Sequence, residues 1–476
     1  MSVPPTTASS AAPAGAGARL SGRLGVGGIV FMVVAAAAPL TVVGGNVPLA
    51  IGNGNGAGAP VGFVLAAAVL LVFSVGFVTM TPHVPEAGAF YSYVTRGLGP
   101  RAGTGSAYVA LLAYTAIQVG MYGYLGWALG DLVTRYGGPQ VPWWAYGFAG
   151  IAVVALLGHR HIDLSSRVLG VALVLEIGVV LVLDAAIVLR GGAAGVDAVS
   201  FTPQAVTSGP LGVAVLFALT GFIGFEATAV FRDEARDPER TVPRATYLAV
   251  LVIGAFYALS CWAVVVGVGS GRAQQVARDS LADGGNMLLD AAGTYVGAVL
   301  RDLVQVLLVS SVFACVLSFH NIVARYQFVL AGSGHLPRRL AAVHPRHASP
   351  AVSSAVQTLT ALVLVAVFAL VGLDPLVGVF GSMAGVSTVG MVLLMLLTSV
   401  AVVAFFSRRP DLRAGRVGRS LLAPVLAVLA LAVSLWLVAS NFTLVTGGSA
   451  GVGLLLGLLP VAAFAAGALA GGRRTT

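Results

Sequence analysis

The sequence predicts an all-α polytopic membrane protein with twelve transmembrane helices. Three observations carry that reading. Of 476 residues, 58% are hydrophobic and 9% charged, against roughly 25% charged in soluble domains. The apolar residues gather in segments near the roughly 20 residues a crossing needs. They lie at 25–51, 60–80, 103–130, 142–158, 165–189, 210–231, 245–269, 298–331, 352–373, 375–406, 420–440 and 450–471. The basic residues then alternate between the loops. All 26 are arginine, and with a cytosolic N-terminus 21 of them fall on the cytosolic side. Arg135, Arg190, Arg272, Arg278 and Arg301 fall on the other. Positive charge retained inside fixes topology, so both termini are expected in the cytosol of a multi-pass cytoplasmic (inner) membrane protein. The net charge of +9 is thereby used up by the lipid bilayer, and no nucleic-acid partner is called for.

Residues 1–22 are mostly Ala, Gly, Ser, Thr and Pro, the composition of a disordered cytosolic tail. They lack the early basic region and cleavage pattern of a signal peptide, so the first segment is expected to be retained. That segment contains a helix breaker. Ala35-Ala36-Ala37-Ala38-Pro39-Leu40-Thr41 leads to Gly44-Gly45-Asn46-Val47-Pro48, and Pro39 deprives the Ala35 carbonyl of its helical donor. In the third segment Tyr114, Gln118 and Tyr122 recur at i, i+4 and i+8 on one helix face. Such a face suits pocket lining and interior packing equally. The fifth segment starts at Leu164-Ser165-Ser166-Arg167-Val168 and carries Glu176 in an otherwise apolar run.

The sixth segment holds the second breaker. Thr220-Gly221-Phe222-Ile223-Gly224-Phe225-Glu226 sets two glycines and a carboxylate at membrane depth. Non-helical backbone is tolerated there only where it is buried in protein or lines a cavity. A mixed-charge loop follows, with Arg232, Asp233, Glu234, Arg236, Asp237, Glu239, Arg240 and Arg244. It reads as a solvated, salt-bridged turn or as an inner gate whose ion pairs break on opening.

Segments one and six each open a set of five. Breaks at matching positions of two halves point to a transporter site between inverted repeats. The expected divisions are 23–189 and 210–406 for the repeats, 420–471 for two additional C-terminal helices and 472–476 for a cytosolic tail. A break exposes N–H groups that attract an anion and carbonyls that attract a cation, and an amino acid zwitterion carries both charges. The amides are expected near Thr41–Gly44 and the carbonyls near Phe217–Thr220. The candidate substrate-binding residues are Ala37, Ala38, Pro39, Thr41, Val42 and Gly44 at the first break. Gln118 and Tyr122 join them from segment three, with Phe217, Ala218, Thr220, Gly221, Phe222 and Gly224 at the second break. Segments one and three carry no acidic residue, which favours a neutral substrate. Glu176 and Glu226 are the candidate coupling residues.

Other chemistry finds little support. His159 and His161 are two apart and share no helix face, so no metal site is expected. Ser318 and His320 are likewise two apart, which gives no nucleophile–base pair. Cys261 and Cys315 sit in apolar runs as core residues. No enzyme and no cofactor is expected. These segments are also too apolar for a channel's polar file.

Three motifs now add a resemblance. Pro85-Glu86-Ala87-Gly88-Ala89-Phe90-Tyr91-Ser92-Tyr93 with Gly99-Pro100 resembles a loop of the amino acid–polyamine–organocation permeases, with Ala89 in place of a usual glycine. Gly224-Phe225-Glu226 with Glu234-Ala235 and Pro238-Glu239-Arg240-Thr241-Val242-Pro243-Arg244 resembles their sixth-segment block. Asn321, Arg325, Gly334-His335-Leu336-Pro337 and His344-Pro345 resemble the signature after segment eight. Together with the lysine-free, Ala- and Gly-rich composition, they make the chain similar to actinobacterial-type members. The resemblance implies a LeuT-like 5+5 inverted repeat and a secondary transporter of an amino acid or related amine. Aligned on Ser165-x-Arg167-Val168, Glu176 falls where some proton-coupled relatives carry a lysine that stands in for sodium. This chain has no lysine, so Glu176 as an exchangeable proton site is the favoured reading. The alternatives are a structural contact with Arg325 or another helix, and a sodium site with Ser310, Ser311 or Ser318. Exchange, a cationic amino acid or amine substrate, and a nontransporting nutrient sensor on the same fold stay open.

Overall fold

The computed structural model describes residues 24–84, 90–159, 166–230, 234–343, 349–413, 415, 417–446 and 450–472. The expected tail at 1–22 and residues 473–476 lie outside them. So do Pro85–Ala89, Arg160, His161, Ser165, Arg232, Asp233, His344, Pro345 and His347.

The protein is an all-α polytopic membrane protein. Among the described residues, ten helices are long and apolar enough to cross a membrane. The shorter apolar helices Trp143–Gly158 and Leu211–Thr220 stand at the expected fourth and sixth segments. The sixth is short because its backbone leaves the helix after Thr220. Observed helix limits otherwise track the expected segments closely. The main departure is segment seven, which begins at Pro238 rather than 245. Proline at the first helical position loses nothing, since that N–H has no intrahelical partner. Glu239, Arg240 and Arg244 of the charged loop are thereby taken into the helix.

Segment one is two half-helices, Val26–Ala36 and a run resuming at Pro39. Segment six is Leu211–Thr220 and the short Ala227–Val230. Their first halves pack against the long second and seventh segments, Ala59–Met80 and Pro238–Val268. Segment three, Pro100–Arg135, is the scaffold's spine and contacts segments four, eight, ten and twelve. Segment five, Ser166–Leu189, lies against segments seven and eight and against Pro39–Thr41.

Two connections carry three helices the sequence reading did not anticipate: Phe90–Leu98 in one, and Ala273–Ala282 and Met287–Tyr295 in the other. Asn286 caps the last, accepting from the Leu288 and Leu289 amides, and its Nδ2 donates to the Gly44 carbonyl at 2.6 Å. This connection therefore grips segment one from the membrane face at which segment five ends. On the opposite face the Leu24 N–H donates to the Glu234 carbonyl, and the Arg236 N–H to the Leu24 carbonyl, both at 3.0 Å. That backbone bridge is the latch between the chain's entry and the charged loop. Among the described residues, the loop's one ion pair is Asp237–Arg240 at 3.9 Å, three residues apart and exposed. Exposed local pairs contribute little, so these residues give the ion-pair reading of an inner gate no support.

Candidate functional site between two broken helices

At the first break Ala38 is left-handed, φ 46° and ψ 71°, the one non-glycine residue with positive φ among the described residues. Proline disfavours α geometry at the preceding residue, so Pro39 displaces Ala38 and then opens the second half-helix. The Ala35 carbonyl does not stay unpaired: it accepts from the Ala38 N–H at 3.2 Å. The helix thus resumes earlier than expected. The Val42 amide is already bonded to the Ala38 carbonyl, and residues 42–46 form a π-helical turn. The N–H groups at the start of the half-helix are therefore near Leu40 and Thr41, not along Thr41–Gly44. The Glu176 carboxylate lies near the Leu40 amide. Gly44 serves packing: a Cβ there would lie 2.9 Å from the Tyr124 hydroxyl and 3.1 Å from Leu308.

At the second break Gly221–Glu226 is a string of turns. The carbonyls of Phe217–Thr220, expected to be free, each accept a bond. Gly221 donates to Phe217 and Ala218, Phe222 to Leu219 and Ile223 to Thr220. Tightening to i→i+3 bonds is the usual way a helix end recovers its partners. Asn46 Nδ2 also reaches across from segment one to the Phe217 carbonyl at 2.8 Å.

The two glycines of this break serve different needs. Gly224 has φ +107°, which favours glycine. Gly221 is helical at φ −65°, and its need is space, since a Cβ would stand 3.0 Å from Val42 Cγ1 and 3.3 Å from Tyr257. Glu226 is buried. It accepts from the Gly224 amide at 3.0 Å and from the Tyr114 hydroxyl.

Between the breaks lies a cavity. Segment one lines it with Ala36, Ala37, Ala38, Thr41, Val42 and Asn46, and segment six with Thr220 and Ile223. Segments three and eight add Ile117, Met121, Cys315 and Phe319. Its volume is about 20 Å³, enough for one water and far below the few hundred Å³ of a ligand pocket. Aromatic groups of segment three flank the cavity on both sides. Segment three rises about 1.5 Å per residue, so Tyr114 lies one turn to the Leu24 side of Ile117 and Tyr124 one turn beyond Met121. Tyr114 packs against Phe319 and Tyr326, and Tyr124 against Trp127 and Phe380.

A line of hydroxyls leaves this cavity. Thr41 Oγ1 donates to Ser311 Oγ at 3.0 Å, and Ser311 donates to Glu176 Oε2 at 2.9 Å. Glu176 is buried and has no arginine partner among the described residues, so it is not paired with Arg325. Glu176 thus lies between segments one and eight.

Of the candidate binding residues, Ala37, Ala38, Thr41, Val42 and Thr220 line the cavity. Pro39, Gly44, Phe217, Ala218, Gly221, Phe222 and Gly224 stand behind it as backbone and packing. Gln118 and Tyr122 point elsewhere. Gln118 accepts from Gln357 Nε2 at 2.5 Å, lies 3.3 Å from His320 Nδ1, and its Nε2 is 3.4 Å from the Tyr122 hydroxyl. They tie segment three to segments eight and nine. The sequence reading missed Ala36, Asn46, Ile117, Met121, Ile223, Cys315 and Phe319. Ile117–Met121 and Cys315–Phe319 are i, i+4 pairs, but each looks like any apolar helix face until the breaks are placed opposite it.

Residues 24–460 match the amino acid permease family. The chain belongs to that family. It is similar to an uncharacterised transporter of Mycobacterium tuberculosis, 29% identical over 306 residues, 62% of this chain and 63% of that one. This match therefore spans less than two thirds of that relative's length. The branched-chain amino acid permease BcaP of Bacillus subtilis is 26% identical over 396 residues, covering 78% of this chain and 79% of the relative. The low-affinity putrescine importer PlaP of Escherichia coli K12 is 23% identical over 307 residues, 62% and 64% of the two chains.

Proposed function

We propose that the protein is a secondary transporter of the cytoplasmic membrane, with both termini cytosolic, carrying a neutral amino acid with an apolar side chain in symport with a proton. The observation that carries this reading is the cavity between two broken helices, joined by two hydroxyls to a buried carboxylate. The lining supports the substrate class: Val42, Ile117, Met121, Ile223 and Phe319 surround few polar groups and no charged side chain. The substrate carboxylate would take the half-helix start near Leu40 and Thr41. Its amine would take the remaining lone pairs of the Ala218, Leu219 and Thr220 carbonyls, since Gly221 and Asn46 already fill those of Phe217. The cavity must widen for either, as alternating access between the two expected repeats requires. That BcaP is a branched-chain amino acid permease agrees with the apolar lining.

Uptake into proteoliposomes under an imposed pH gradient tests the reading. Neutral apolar amino acids should compete, and their methyl esters should not. Glu176→Gln should lose accumulation and keep exchange. Equal competition by the ester, or full accumulation by the variant, refutes the pose or the coupling respectively. A sodium-coupled reading has one observation in its favour: Thr41, Ser311 and Glu176 set three oxygens in a hydrogen-bonded row. Accumulation driven by sodium at constant pH would establish it instead.

A further inference from the structure

Segment five carries a second acidic residue within its apolar span, Asp184, eight residues beyond Glu176. At 1.5 Å per residue it lies about 12 Å further along the helix, rotated by about 80°. It therefore turns from segment eight toward segment seven. There Ser260 donates to Asp184 Oδ2 at 2.7 Å. The other oxygen, Oδ1, is buried without a hydrogen-bond partner. A carboxylate offers about four acceptor sites, and one hydroxyl meets this one. Among the described residues no arginine pairs with it. The titratable group set against it is the Cys261 thiol of segment seven, and segment eight and the Met287–Tyr295 helix add no charge to those acting on it. An acidic group at this depth without a cation points to a proton or ion pathway by default.

Position decides which pathway. Asp184 is five residues from Leu189, where segment five ends, so it stands between that membrane face and Glu176. Segment seven runs alongside both. Tyr257, three residues before Ser260, donates to the Ala37 carbonyl at 3.0 Å and lies within electrostatic reach of Glu176. Val180 is buried between the two acids, so no continuous line of polar side chains joins them along segment five.

We propose that Asp184, held by Ser260, is a second proton-carrying residue that loads Glu176 from the membrane face at which segment five ends. A proton from water at that face adds to the Asp184 carboxylate. It passes to Glu176 through water admitted when the half-helix at Ala37–Thr41 moves. Asp184 is left as the carboxylate and takes its next proton from the same water. This rests on the reading that Glu176 couples protons to transport.

The test uses proteoliposomes of the full chain with a trapped pH-sensitive dye and labelled substrate, so proton influx and uptake are read together. Asp184→Asn should slow pH-driven uptake and proton influx in parallel, about tenfold at high external pH and little at low pH, where supply does not limit. Counterflow exchange should be unchanged. Asp184→Glu should restore most of the rate. Wild-type rates for Asp184→Asn across the whole pH range overturn the proposal, as does equal loss of exchange in both variants, which marks a structural contact. Glu176→Gln is run beside them. If it keeps full pH-driven accumulation, the Glu176 reading fails, whatever Asp184→Asn does.

Discussion

Gly224→Ala isolates backbone conformation from packing at the second break. Gly224 has φ +107°, and the nearest atom to a Cβ built there is Ala36 Cβ at 3.5 Å, an ordinary contact. The added methyl therefore has room, and the penalty is conformational. Holding an L-residue in left-handed geometry costs about 1–2 kcal/mol, which is about a 5- to 30-fold change in an equilibrium. Where this geometry belongs only to the closed state, that state loses this much population, and exchange slows by a similar factor. Where it persists through the cycle, exchange is kept and the loss appears in thermal stability. Gly221→Ala is the control, because its φ of −65° suits alanine while its Cβ presses on the cavity-lining Val42. It should change substrate affinity more than stability. The assays are counterflow exchange in proteoliposomes and fluorescence-detected thermal unfolding in detergent. Wild-type exchange and an unshifted melting temperature in Gly224→Ala would refute the reasoning, and so would a reversal in which Gly221→Ala alone lowers stability.

Three further outcomes are expected. Ser311→Ala removes the middle hydroxyl between Thr41 and Glu176, so pH-driven accumulation should fall about tenfold or more while counterflow stays within about threefold; equal losses in the two assays would mean the hydroxyls only support the fold. Tyr114→Phe takes a charge-assisted donor from the buried Glu226, a change of about 1.5–3 kcal/mol. The melting temperature should drop, and the loss should largely vanish when Glu226→Gln is already present, which a double-mutant cycle measures. Cys315 lines the cavity and Cys261 faces segment five. A small methanethiosulfonate reagent should therefore inactivate transport through Cys315 with protection by substrate, and persistent sensitivity in Cys315→Ala would remove Cys315 from the cavity.

The helices were legible in the sequence because apolar runs of crossing length dominate a chain with few charges. The breaks were legible because proline and paired glycines have few other uses at membrane depth. What the sequence hid was register. Pro39 marked a break, but whether backbone donors are freed before or after it depends on which residue turns left-handed. Ala38 takes that conformation, so the exposed amides lie nearer Leu40 than Gly44. The polar stripe Tyr114–Gln118–Tyr122 was visible, yet Gln118 and Tyr122 serve contacts with His320, Gln357 and their neighbours. The adjacent Ile117–Met121 stripe meets the cavity. Asn46 was invisible as a cross-link because its partner, the Phe217 carbonyl, is 171 residues away and belongs to backbone, which leaves no residue pattern.

The two breaks share one chemical solution, and its asymmetry assigns different work to the two glutamates. At the first, Glu176 lies near a half-helix amide, Leu40; at the second, the turn amide of Gly224 donates to Glu226. Each carboxylate takes a further donor from an unbroken scaffold helix, Ser311 of segment eight and Tyr114 of segment three. These are the third members of the two proposed sets of five. A broken segment cannot tilt without stretching one of these bonds. Bonds to a charged group contribute about 1.5–3 kcal/mol and those to a neutral one about 0.5–1.5, so adding a proton to either acid eases the tilt by about 1 kcal/mol per bond. Proton occupancy and half-helix position are then linked, each shifting the other. Of the two, Glu176 has the hydroxyl path into the cavity, through Ser311 and Thr41, so under the proposed function it is the one that registers the substrate directly. Glu226 reaches the cavity by way of Tyr114, whose ring packs on Phe319 at the cavity's edge. Its protonation would loosen that floor, which is the work of a gate. Neutralising Glu176 should therefore uncouple transport, and neutralising Glu226 should alter how fast the Leu24 side opens.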